Sequence, residues 1–130
     1  MSSIPAAFWP EQGPSIELSP ALESLGRLEH GWDGDGAPAP SARALERTRA
    51  LLSRLTRRPD EIDPDAIGGV ALWFYFDGAD GRKVMVGIRN EDGRGVLCSY
   101  RHARGIPEVE VFTDDAKLAA QVNSRLTTFA

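Results

Sequence analysis

Apolar residues recur along the chain with two different periods, and the change falls near residue 70. In "LSPALESLGRLEHG", Leu22, Leu25 and Leu28 lie near one side of a helix, with Ser19 as cap, Pro20 in the first position and Gly31 as stop. The segment "PSARALERTRALLSRLTRRP" predicts the longest helix, residues 41–58, capped by Ser41 and halted before Pro59. At 100° per residue, Leu45, Thr48, Leu51, Leu52 and Leu55 share an apolar sector. Arg43, Arg47, Arg54, Arg57 and Arg58 fall roughly opposite, so one side packs and the other is basic.

From Val70 the period becomes two. "VALWFYF" sets Val70, Leu72, Phe74 and Phe76 on one face and Trp73 and Tyr75 on the other; "DGADGR" turns the chain and "KVMVGIR" returns with Val84, Val86 and Ile88 aligned. A second turn, "NEDGRG", leads to "VLCSY", and "HARGIPE" separates that from "VEVF", which predicts a meander of three or four antiparallel strands. "TDDAKLAAQVNSRLTTF" closes the chain as a helix capped by Thr113 or Asp114, with Leu118, Val122, Leu126 and Phe129 on one stripe. Residues 1–18, rich in proline and serine, read as an arm; 19–130 read as a single α+β domain. Its helices, two before the meander and one after, cover one sheet face, and Trp73 and Tyr75 lie on the other unless the arm covers them.

Two stretches break the periodicity. "DEIDPDAIGG", residues 60–69, reads as an acidic linker, and "GWDGDGAPAP", residues 31–40, as a connector between helices. In the connector, Gly31, Gly34 and Gly36 supply unusual backbone angles, Asp33 and Asp35 accept backbone N–H groups, and Trp32 anchors the loop to the core. Its alternating acids invite calcium, but counting from Asp33 places Ala37 at loop position 5, Pro38 at 6 and Ala44 at 12, where a calcium hand needs an oxygen ligand, glycine and glutamate. A looser cation site would have to use Asp33 and Asp35 with Asp60, Glu61, Asp63 and Asp65, as in a cation-dependent enzyme. Clustered acids in turns ordinarily just face water.

Composition narrows the chemistry further. The chain has 130 residues, 42% hydrophobic and 26% charged, enough to bury a core without disulfides or metal. Its net charge of −4 gives no general attraction to nucleic acid or anionic membranes. One cysteine, Cys98, cannot form an internal bridge, which favours a reducing, cytoplasmic setting; no signal peptide or membrane span is legible. Cys98, His30 and His102 do not form a zinc set, and Cys98 and His102, four residues apart on a strand, are roughly 13 Å apart. No nucleophile elbow, phosphate loop or dinucleotide turn occurs, so neither metal nor cofactor is expected.

"LEHGWDGDGAPAPSARALERTRALL", followed by "IDPDAIGGVALWFYFDGADGRKVMVGI", resembles a recurrent kind of small bacterial or phage protein. Such proteins carry a "WDGxGA" turn and a proline before a capped helix, then a "P...GG" linker into an aromatic first strand. The match runs over residues 22–100 through Trp32, Asp33, Gly34, Gly36, Ala37, Pro38 and Gly69. The resemblance implies architecture and a bacterial or phage origin, not a reaction. With no catalytic constellation, the expectation is a non-enzymatic protein-binding module, concretely an inhibitor of the antitoxin, immunity or anti-defence type. The expected contact residues are Trp9, Trp73 and Tyr75 with Arg43, Arg47, Arg54 and Arg58, because aromatics and arginine are enriched in interface cores. Nucleic-acid binding by the arginine helix is the alternative.

Overall fold

The computed structural model describes residues 18–65, 67–78, 80–89, 93–102 and 104–130. Three helices and five strands follow in the order α1 (Leu18–Gly26), α2 (Ala42–Leu52), β1 (Glu61–Pro64), β2 (Val70–Tyr75), β3 (Lys83–Ile88), β4 (Gly95–Tyr100), β5 (Glu108–Phe112) and α3 (Asp115–Phe129). The strands form one antiparallel sheet in sequence order. The α+β class, the two early helices and the closing helix are as the sequence predicts. Trp9 and the arm before Leu18 lie outside the described residues.

Alternation within the strands builds the core. Three cross-strand rows, Val70–Ile88–Gly95, Leu72–Val86–Leu97 and Phe74–Val84–Ser99, are buried on one face. Leu22 and Leu25 of α1, Ala44, Leu45, Leu51 and Leu52 of α2, and the α3 stripe of Leu118, Val122, Leu126 and Phe129 pack against that face. Each fully buried large side chain contributes about 1.5–3 kcal/mol. Gly95 leaves room for Leu118 to seat directly on the sheet.

Several boundaries differ from the sequence reading. α1 ends at Gly26 rather than Gly31 and begins at Leu18, so Ser19 lies inside its first turn. The predicted helix 41–58 stops at Leu52: Arg54 and Leu55 donate to carbonyls three residues back, tightening the last turn. Asn123 of α3 then takes over, accepting from the Thr56 N–H at 2.9 Å and donating to the Arg54 carbonyl at 2.9 Å. Leu55 still reaches the core, but from an irregular segment. Asp114 is the α3 cap, accepting from the N–H groups of Ala116 and Lys117.

The sheet has five strands, not three or four, because the supposed linker contains β1. Its only large aliphatic residue, Ile62, and its proline give no period-two signal; β1 exists because β2 offers it a partner through a tight turn. In that turn Asp65 accepts from the N–H groups of Ile67 and Gly69 at 2.9 and 2.7 Å, and the Asp65 N–H donates to the Gly69 carbonyl.

The "GWDGDGAPAP" connector uses the same device. Gly31, Gly34 and Gly36 have φ of 82°, 81° and 80°, and Asp33 Oδ1 accepts from the N–H groups of Asp35 and Ala37. Those two bonds hold the Asp33 carboxyl below its ordinary pKa. Two readings of the connector need correcting. Asp35 supplies an N–H here and keeps its carboxylate exposed. Trp32 is only half-buried and is no core anchor: its indole N–H donates to the Pro38 carbonyl at 3.0 Å, closing the loop on itself, while Ala37 and Pro40 are the buried residues. The Ser41 N–H then bonds the Gly68 carbonyl, joining the connector to the β1–β2 turn.

Candidate interaction face of the sheet

Because all three helices pack on one side, the other side of the sheet carries no helix or strand among the described residues. The registers set out its surface in three rows: Tyr75–Lys83–Tyr100, then Glu61–Trp73–Met85–Cys98–Val109, then Asp63–Ala71–Gly87–Val96–Val111. Read across the strands, the face is acidic on β1, aromatic with one lysine over β2 to β4, and aliphatic on β5. Tyr75, Val109 and Val111 are 41%, 56% and 56% exposed.

The aromatic centre is ordered by its own contacts. Trp73 stacks with Tyr75 at 6.4 Å between ring centroids and 9° between planes, and with Tyr100 at 6.4 Å and 29°. The Lys83 ammonium lies 5.5 Å from the Trp73 ring and 4.9 Å from the Tyr100 ring, so its charge is held against π-faces. Burial, helped by Glu61, pushes the Tyr75 hydroxyl up to about 12. Burial and the neighbouring Glu61 charge also raise the Asp63 carboxyl. These groups make a preformed platform in which few rotamers remain to be frozen on contact.

Of the residues predicted for partner contact, Trp73 and Tyr75 therefore lie together on this face. Lys83, Met85, Tyr100, Val109 and Val111 join them, although the sequence reading did not name them. The alternation that buries Val84, Val86 and Ile88 already assigns Lys83 and Met85 to the opposite face; the cross-strand alignment needs the register.

The arginines do not form the predicted row. Arg54 and Arg58 lie beyond the end of α2, and only Arg43 and Arg47 of the four predicted contact arginines remain on it. Arg47 is spent within the fold. Its Nε and Nη2 grip Asp115 at 3.1 and 2.7 Å, and its Nη1 donates to the Arg89 carbonyl at 3.0 Å. Arg57 bonds Asp60 and the Tyr75 carbonyl while its guanidinium lies 4.5 Å from the Phe76 ring centroid. An open cavity of about 410 Å³ beside α2 is lined by Arg43, Glu46, Arg47, Thr113 and Asp115, both signs of charge together.

The Arg47–Asp115 clamp gives a first prediction. Arg47 is 11% exposed and Asp115 45% exposed, so Asp115 regains water when the pair is broken and the loss is discounted accordingly. Arg47→Ala is expected to cost about 1–2 kcal/mol at neutral pH. The Arg47 hydrogen bonds hold the Asp115 carboxyl below its ordinary range. A depressed carboxylate stabilises the fold above its unfolded pKa, and that contribution disappears as pH falls through the folded value. The deficit of the variant therefore narrows in acid, as urea unfolding at a series of pH values will show.

Three of the six carboxylates proposed for a cation site are committed elsewhere. Asp60 accepts from the Tyr75 N–H and Arg57, and Asp33 and Asp65 close their turns. Among the described residues no group of three or more His, Cys, Asp or Glu is placed to hold a metal ion. Burial raises the Cys98 thiol, the reverse of what a nucleophile requires, and His102 is exposed beyond the end of β4. Among the described residues no helix is long and apolar enough to cross a membrane. Comparison with known proteins finds no matching family model, no matching curated protein and no matching solved structure.

Proposed function

We propose that the chain is a non-enzymatic protein-binding module whose docking surface is the sheet face opposite the helices, with inhibition of a partner by occlusion as its concrete form. The observation that carries this reading is the stacked Trp73–Tyr75–Tyr100 platform continued by the exposed Val109 and Val111. Large rigid aromatics beside aliphatic surface are what interface centres are made of. The charges favour a protein over nucleic acid. Glu61 and Asp63 border the platform, and Lys83, the one cation in its three rows, is already held against rings, so phosphates would meet repulsion. A partner presenting basic groups toward β1 and apolar groups toward β5 matches the surface. A bacterial or phage cytoplasm is the setting proposed.

The test is affinity capture from the native host with the wild-type chain, Trp73→Ala and Arg54→Ala in parallel. A specific protein retained by wild type and Arg54→Ala but lost with Trp73→Ala supports the reading. Capture indifferent to Trp73, or retention of nucleic acid that falls steeply with added salt and with Arg54→Ala, contradicts it.

A further inference from the structure

A sheet with five strands in sequence order has two edges, and they are treated differently here. β1 has four residues, ends in Pro64, which has no N–H to donate, and lies beside α1. β5 has five residues without proline, glycine or lysine, and among the described residues no backbone group outside the sheet bonds to it. Exposed edges are ordinarily guarded by lysine, proline, bulges or inward-pointing charge. β5 does carry Glu108 and Glu110 on its helix-facing side, but both are neutralised. Arg101 meets Glu108 at 2.8 Å, and Arg125 meets Glu110 at 2.9 Å and Glu108 at 3.6 Å. On the other side stand Val109 and Val111, with Ile106, 94% exposed, just ahead of them.

We propose that β5 pairs antiparallel with β5 of a second copy of this chain across a two-fold axis at Glu110, joining two sheets into one of ten strands. That register uses the whole strand: Glu108 faces Phe112 of the second copy, Val109 faces its Val111, and the two Glu110 residues meet at the axis. The valine pairs continue the aliphatic end of the open face across the seam, and β-branched pairs of this kind are favourable. The two Glu110 charges would repel if bare, but each brings its own Arg125. A second copy fits because pairing about Glu110 sets each valine against a valine, and the like charges that would then meet are compensated within each chain. Face-to-face stacking of two copies is disfavoured, since a two-fold across the open face sets the β1 acids against either the same acids or the β5 valines.

The pairing shares Val109 and Val111 with the proposed docking surface but does not use Trp73, and Trp73→Ala leaves it intact. Light scattering on the purified chain will read a dimer mass for wild type and Trp73→Ala. It will read a monomer mass for Val109→Lys and Val111→Lys, whose side chains are exposed, so the far-ultraviolet circular dichroism stays unchanged. Glu110→Cys, self-opposed at the axis with Cβ atoms roughly 5 Å apart, will form a disulfide-linked dimer under mild oxidation faster than Val111→Cys, which faces Val109 of the second copy. A wild-type chain of monomer mass, a dimer indifferent to both lysines, or Glu110→Cys crosslinking no faster than Val111→Cys each overturns the proposal.

Discussion

Gly69→Ala is expected to destabilise the fold by about 3 kcal/mol, lowering the melting temperature by roughly 10 °C. The reason is close approach, not conformational freedom. A Cβ at this position would collide with the Ile88 carbonyl of β3, a backbone atom, and would sit 2.5 Å from Asp65 Oδ2. Backbone in a paired strand gives way only by opening the sheet, and Asp65 gives way only by surrendering the bonds that close the β1–β2 turn. The Ser41 N–H is fixed to the adjacent Gly68, so the start of α2 is disturbed as well. Gly31→Ala is strained in another way, through its φ of 82°, and meets nothing within 4 Å. Thermal unfolding of the two variants side by side separates the causes: Gly69→Ala should be the worse, and equal losses would contradict a packing origin.

The second large effect concerns binding. Once a partner is purified, Trp73→Ala is expected to weaken its affinity by at least about 30-fold, the scale of an interface hot spot. Trp73 sits at the meeting point of the Tyr75 and Tyr100 stacks and of the Lys83 contact, so its removal loosens the whole platform. Trp73→Phe, which keeps an aromatic face, should recover much of that loss. The indole is half-buried and outside the helix-covered core, so the fold should survive the change. Calorimetric titration checks the affinities, and circular dichroism the fold.

What the sequence revealed depended on how local each cause is. The α3 stripe, its cap at Thr113 or Asp114, the Ser41 cap of α2 and the alternation of β2 arise within a few residues and were legible. The end of α2 was not, because Asn123, 67 residues beyond Thr56, fixes it. β1 was hidden because a short polar segment becomes a strand only through its neighbour. The arginine spacing promised a basic face, yet Arg47 finds Asp115, a partner 68 residues away that no helical wheel displays. The open face was half legible. Trp73 and Tyr75 declare themselves by parity, whereas Tyr100, Val109 and Val111 join them only through cross-strand register. The "GWDGDGAPAP" loop was read correctly as a turn built on Asp33 and three glycines, and misread in Asp35, which donates its N–H instead of accepting one, and in Trp32, whose indole closes the loop instead of entering the core.

The central claim, that the sheet face opposite the helices is the docking surface, is tested most directly by site-specific photo-crosslinking. A photoreactive residue is placed at Lys83 or Val96 on that face, or at Glu46 or Gln121 on exposed positions of the helical layer, and the chain is irradiated in the native host. The account predicts one discrete crosslinked protein from Lys83 and Val96 and none from Glu46 and Gln121. Crosslinks confined to the helical positions would contradict it.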